Sequence, residues 1–208
     1  MTVQGTTLTL ADAVLPWRAD GRVTSLARAA VLVVAGAALT AVSAQLVWFA
    51  PWNPDVPYTF QTAAVLLVGT ALGAPLGAAS MLLYVLAGAA GLGVFADGRS
   101  GLFTNTGAIS PTVGYLLGFV VAGALVGWLA ERGWDRSPLS TIGLMLLGNL
   151  AIYAIGIPVL YATTPLGLGG SIQHGALDFV PWDLIKIAAA AALLPLAWRA
   201  VGSRASRR

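Results

Sequence analysis

An all-α integral membrane protein with six transmembrane helices and both termini cytoplasmic is the fold class predicted by this sequence. Three observations predict it. Hydrophobic residues make up 58% of the 208 residues, charged residues only 9%, and the mean hydropathy is +0.83. A soluble domain carries about 25% charged residues. The apolar residues also fall into runs long enough to cross a bilayer, which takes about 20 residues per helix. Finally, the basic residues cluster in the tails and one loop, as topology signals do.

The elements follow in chain order. Residues 1–23 read as a cytoplasmic tail, 24–201 as one membrane-embedded domain, and 202–208 as a basic cytoplasmic tail. The first apolar run covers 26–50, preceded by Arg18, Arg22 and Arg28. Val42-Ser43-Ala44 resembles a signal-peptidase site, so a cleaved signal peptide is the alternative to a retained helix. The late start and the many runs that follow favour retention. Pro51, Pro54 and Pro57 then preclude a helix, and a loop is expected. The apolar stretch 60–93 is broken at Gly73-Ala74-Pro75, predicting two short helices over about 60–73 and 76–92. A glycine-rich loop follows over 94–110, then helices at about 111–130, 139–162 and 182–201.

Charge decides between six spans and five. With six, Arg18, Arg22, Arg28, Arg132, Arg136, Arg199, Arg204, Arg207 and Arg208 share one side, nine of the eleven basic residues. Only Arg99 and Lys186 fall opposite. Merging 60–92 into one span separates the two arginine-bearing tails, which the positive-inside rule disfavours. Small residues recur at close-packing spacing in Gly69/Gly73/Gly77, Gly114/Gly118 and Gly123/Gly127. In the first span, Ala37 and Ala41 mark an alanine-rich face that suits either docking of another membrane protein or internal packing.

Composition also excludes chemistries. The absence of cysteine removes disulfides and thiolate ligands, and the single His174 makes a histidine-built metal site untenable. No basic patch with interleaved aromatics suggests nucleic acid. There is no GxxxxGK[ST] loop for ATP, no G-x-S-x-G elbow and no H-E-x-x-H pair.

The sharpest feature is Pro181-Trp182-Asp183-Leu184-Ile185-Lys186, which holds the only lysine. On a helix, residues three apart share a face with Cβ atoms about 5–6 Å apart. An ionisable residue in a membrane segment costs roughly 2.5–3.5 kcal/mol at the helix centre, so an acid and a base paired there point to recognition of a polar ligand. The plainer alternative has Asp183 capping a helix start and Lys186 snorkelling to the interface. Gln61, Tyr84, Asn149 and Tyr153 add donors, acceptors and ring faces on other apolar segments. Each suits an interhelical bond; together they suit a pocket wall.

Several segments, in order, resemble the BioY family, the biotin-specific membrane subunits (S components) of energy-coupling-factor transporters. They are Val56-Pro57-Tyr58-Thr59-Phe60-Gln61-Thr62, Gly73-Ala74-Pro75-Leu76-Gly77-Ala78, Leu82-Leu83-Tyr84 and Gly91-Leu92-Gly93-Val94-Phe95-Ala96. Ser110-Pro111-Thr112-Val113-Gly114-Tyr115 and the Pro181–Lys186 segment complete the series. Trp182 departs from the glycine expected before the aspartate, and the Asp97–Ile109 loop is longer than the family's usual form.

The resemblance implies a six-helix subunit that captures biotin from outside, with biotin as transported ligand and no cofactor. It implies partners too: a transmembrane coupling subunit, met by the Ala37/Ala41 face, and two cytoplasmic ATPases. Asp183 and Lys186 would meet the ureido head, and Arg99 or loop N–H groups the carboxylate. Tyr84 and the 94–112 loop, with Thr112, would line or cover the site. The chain is thus expected to be a transport subunit and not an enzyme. The alternatives are an S component for another small vitamin, or an intramembrane enzyme using Asp183 and Lys186.

Overall fold

The computed structural model describes residues 8–14 and 22–205. Arg18, Arg207 and Arg208, counted above for topology, lie outside the described residues. Within the predicted tail, a short helix α1 (Leu10–Val14) is the first element among the described residues, and α2 (Arg22–Gln45) follows. Asp12 braces α1 by accepting from Thr9 Oγ1 at 2.8 Å and pairing with Arg28 at 2.9 Å.

The all-α expectation needs one correction. Helix α2 ends at Gln45, and the chain forms an antiparallel hairpin of β1 (Val47–Ala50) and β2 (Asn53–Thr59). Val47 pairs with Thr59 and Trp48 with Tyr58, with an irregularity before Ala50–Asn53. The prolines that rule out a helix are tolerated in a two-stranded ribbon, where one edge needs no donors. Val47, Trp48, Val56, Tyr58 and Thr59 are strand-favouring residues.

Next come α3 (Gln61–Leu72) and α4 (Ala74–Ala89), broken where the sequence placed the break. Gly73 holds φ +81° at the joint, a conformation open to glycine, and Glu131 Oε1 accepts the Ala74 N–H at 2.8 Å. After a 3₁₀ turn at Ala96–Gly98 the chain forms α5 (Val113–Ala130), α6 (Pro138–Thr163), α7 (Gly167–Gly175) and α8 (Val180–Ala205). A second 3₁₀ turn, Leu177–Phe179, links α7 to α8. Helix α7 lies between the helices that the sequence predicts at 139–162 and 182–201.

Among the described residues, four helical units are long and apolar enough to cross a membrane: α2, α5, α6 and the α7–α8 stretch Gly167–Val201. Helices α3 and α4 are apolar but shorter, at 12 and 16 residues, or roughly 18 and 24 Å. The core of the bundle is mainly apolar, with Val65, Met81, Val126, Leu144, Ile152 and Leu160 fully buried.

Glycines let the backbones meet. A Cβ on Gly69 of α3 would stand 2.7 Å from the Gly123 carbonyl oxygen of α5, and one on Gly118 would stand 2.9 Å from Ile152 Cα of α6. Such approach gains dispersion contact where lipid removes the hydrophobic drive. Helix α2 packs on α4 in the same way, with Gly36 against Ser80. This turns Ala37 into the bundle and leaves Ala41 half-buried. The outward face of α2 carries Val31, Val34, Ala35, Ala38, Leu39 and Val42 instead.

The bundle has two distinct ends. At one, Arg132 stacks on Trp128 (3.5 Å) and Arg136 on Trp198 (4.6 Å). Trp198 Nε1 there donates to the fully buried Asp135 at 2.5 Å. Burial pushes the Asp135 carboxyl above the usual carboxylate range, against the Trp198 hydrogen bond and the nearby Arg136 charge. At the opposite end lie the hairpin, the 94–112 loop, α7 and the start of α8.

Candidate functional site

The hairpin end encloses a cavity of about 580 Å³, within the range of small-molecule sites. Its walls come from α3, α5, α6 and α8, and its cover from β2, the 95–112 loop and α7. Local bonds fix that cover. Asn53 Nδ2 donates to the His174 carbonyl at 2.7 Å, and Tyr115 OH donates to the Gly175 carbonyl at 2.8 Å. Tyr58 stacks on Phe179 with ring centroids 4.4 Å apart. Gln45, at the end of α2, accepts from the Gly98 N–H at 3.0 Å and donates to the Phe95 carbonyl at 3.2 Å, tying down the loop.

Asp183 and Lys186 sit on the inner side, in the first two turns of α8. Their side chains are 7% and 10% exposed and 3.2 Å apart. Asp183 Oδ2 accepts from Tyr153 OH, and Oδ1 from Lys186 Nζ. Lys186 also donates to Thr62 Oγ1 at 2.7 Å. The carboxylate oxygens are thus engaged by side chains, not by the backbone N–H groups that the capping alternative requires. Lys186 likewise turns inward to Thr62 instead of snorkelling. A buried ion pair is a poor stabilising device, because desolvation offsets most of its Coulomb attraction. Placed on a cavity wall, it offers fixed acceptors beside fixed donors.

The structure brings six of the eight proposed site residues to this cavity: Gln61, Arg99, Thr112, Tyr153, Asp183 and Lys186. Tyr84 stands behind the wall, 1% exposed, where its hydroxyl accepts from Gln61 Nε2 at 2.6 Å. Gln61 Oε1 in turn accepts from Thr59 Oγ1 at 2.9 Å. Asn149 lines a different, smaller cavity between α3, α6 and α8. Arg99 is exposed, at the cavity's solvent side, with its guanidinium 5.3 Å from the Phe49 ring centroid.

Thr62 and Tyr115 also line the cavity, beyond the residues that the sequence points to. Both lie inside the quoted motifs, and that placement was the available signal. His174 pairs with Asp178 at 2.8 Å on the cover. Among the described residues no three of His, Asp and Glu converge, so none is offered as a metal set.

Comparison with known proteins agrees with this picture. The family model described as "BioY family" matches residues 6–203. The "Biotin transporter BioY" of Rhizobium etli is 36% identical over 146 residues, covering 66% of this chain and 75% of that protein. The "Biotin transporter BioY" of Thermotoga maritima is 38% identical over 141 residues, covering 68% and 79%. A crystal structure of the S-component for biotin from an ECF-type ABC transporter has the same fold. It superposes with a TM-score of 0.70 at 19% identity, over 86% of this chain and 95% of that one. With a fold, a motif order and a family match that agree, this chain belongs to the BioY family.

Proposed function

We propose that this protein is the biotin-binding S component of an energy-coupling-factor importer. The buried Asp183–Lys186 pair on the wall of a 580 Å³ cavity carries the reading. Biotin presents what such a wall recognises: fused rings with apolar faces, a ureido group with two N–H donors and one carbonyl, and a carboxylate on a flexible chain. Asp183 accepts from the ureido N–H groups. Lys186, held by Thr62, donates to the ureido carbonyl. The buried pair lies deep and the exposed Arg99 lies at the mouth, so the ring head enters first and the carboxylate stays by Arg99 and the loop N–H groups. Tyr153, Thr112 and Gln61 complete the wall, with Tyr84 holding Gln61 in register.

Residues 24–201 form the substrate-binding domain, crossing the cytoplasmic membrane six times with both tails inside. Two features support the short α3 and α4 as spans. Gln61 and Thr62 begin α3 at the cavity, while the α3–α4 joint is capped by Glu131 at the arginine end. Tryptophans exposed at both ends, Trp48 and Trp52 against Trp128 and Trp134, suit two membrane interfaces. Without a nucleotide-binding motif the chain draws its energy from partners, a transmembrane coupling subunit and two ATPases. Because Ala37 faces inward, the Ala35/Ala38/Val42 stripe of α2 is the better surface for the coupling subunit.

Calorimetry on detergent-solubilised protein, stripped of co-purified ligand, tests the reading. Biotin should bind one to one, and folded Asp183→Asn and Lys186→Met variants should lose that binding. A well-folded wild type that ignores biotin yet binds another vitamin overturns the substrate assignment.

A further inference from the structure

A strap over 94–101 crosses the mouth of the ligand cavity and brings Arg99 to it. Phe95, Ala96, Gly98, Arg99, Ser100 and Gly101 all line the cavity. Both ends of the strap are anchored from within the bundle. Phe95 is 7% exposed, packs edge-on against Tyr84 with ring centroids 5.5 Å apart, and fills the space that a Cβ on Gly88 would need. Gly101 donates its N–H to the Gly88 carbonyl at 2.8 Å.

The turn between these anchors has little of its own to hold it. It closes on two internal bonds, from the Phe95 N–H to the Arg99 carbonyl at 3.0 Å and from the Arg99 N–H to the Ala96 carbonyl at 3.3 Å. At its centre Asp97 (φ +60°) and Gly98 (φ +66°) both take the left-handed conformation. Glycine does so freely, but a residue with a side chain stays there only where its surroundings fix it.

That support comes from one side chain. Gln45 Oε1 accepts from the Gly98 N–H at 3.0 Å. Its Nε2 donates to the Phe95 carbonyl at 3.2 Å and the Val94 carbonyl at 3.4 Å, and also to the Ala41 carbonyl of its own helix at 3.0 Å. Among the described residues, the Gly98–Gln45 bond is the one hydrogen bond that ties residues 96–100 to anything outside 95–100. An amide suits the place because it accepts and donates at once, whereas a carboxylate only accepts. Helix α2 packs closely on α4 at Gly36 and Ser80, so the turn is held from a fixed element.

We propose that Gln45 is a positioning residue for Arg99, its amide fixing the turn that carries the guanidinium to the cavity mouth. Arg99 is exposed and touches only the Phe49 ring, 5.3 Å away. Where its backbone is held therefore decides where its charge can reach. Gln45 does not line the cavity and acts through Arg99 alone. Its role rests on the proposed reading of Arg99 as the partner of the biotin carboxylate.

Calorimetry with biotin and biotinamide, on Gln45→Met in wild-type and Arg99→Ala backgrounds, tests this role. Gln45→Met should weaken biotin about fivefold, the loss expected of Arg99→Ala itself, and leave biotinamide unchanged. In the Arg99→Ala background it should alter biotin affinity very little, as coupled residues do. Hydrogen exchange of the ligand-free protein gives an independent readout: Gln45→Met should speed exchange over 95–99 about fivefold, as loss of a typical hydrogen bond does. Equal losses for both ligands overturn the proposal, as does the same loss in both backgrounds or a folded Gln45→Met protein with wild-type biotin affinity. A wild type that ignores biotin sinks the substrate reading instead. Exchange then decides the structural part, and an unchanged rate over 95–99 in Gln45→Met overturns the hold on the turn. Should Gln45→Met not fold, Gln45→Ser, too short to span to Gly98, carries the same test.

Discussion

Removing the Lys186 ammonium alone should cost more stability than removing both members of its pair. Asp183 and Lys186 are 3.2 Å apart and at most 10% exposed. At an effective dielectric of about 20 their gross attraction is about 5 kcal/mol. Desolvation of the two ions offsets most of this, so the net worth of the pair is small. Lys186→Met leaves the Asp183 charge buried with only the Tyr153 hydroxyl as donor, and Thr62 Oγ1 loses its donor as well. Breaking a buried pair in this way costs about 3–5 kcal/mol. In Asp183→Asn/Lys186→Met no charge remains, and most of that loss should return while ligand binding does not. Unfolding of ligand-free protein in mixed micelles titrated with dodecyl sulfate, followed by tryptophan fluorescence, reads the difference. Equal stability for wild type, single and double variants would refute the buried-pair geometry, because no charge would then be stranded.

Three further outcomes are expected. Arg99→Ala should weaken biotin about fivefold, a modest effect for an exposed charge, and leave the binding of biotinamide, which lacks the carboxylate charge, unchanged; an equal loss for both ligands rejects Arg99 as the carboxylate partner. Gly118→Ala places a Cβ 2.9 Å from Ile152 and should destabilise the α5–α6 contact by about 1–3 kcal/mol. Gly169→Ala in α7 meets open space and should be tolerated, so thermal melting must separate the two. At the arginine end, burial raises the Asp135 carboxyl in the folded state. A raised folded value contributes stability that is fully present below the unfolded pKa and lost as pH rises through the folded one. Asp135→Asn should therefore melt above wild type at neutral pH, the gap closing on acidification; a gap independent of pH rejects the assignment.

Much of the bundle was legible because membrane helices announce themselves by length, charge and breaks. Gly73-Ala74-Pro75 marked the α3–α4 joint, and the spacing of Gly69 and Gly118 marked true close approaches. The Asp183–Lys186 spacing was equally plain, since i,i+3 neighbours on a helix must share a face. What stayed hidden depends on contacts distant in sequence. The hairpin exists because Trp48 meets Tyr58 across a turn, and α7 is a glycine-rich helix whose carbonyls are held by Asn53 and Tyr115. Helix rotation was hidden too. Sequence put Tyr84, Asn149 and Ala37 on helices but not which way they faced. Packing turns Tyr84 behind Gln61, Asn149 toward the small cavity between α3, α6 and α8, and Ala37 into the bundle.

The most direct test of the central claim is a structure of the protein with biotin bound. The ureido group should lie within hydrogen-bonding distance of Asp183 and Lys186, its rings enclosed by α3, α5, α6 and α8. Biotin bound outside this cavity, or inside it with no polar atom near either residue, would contradict the account.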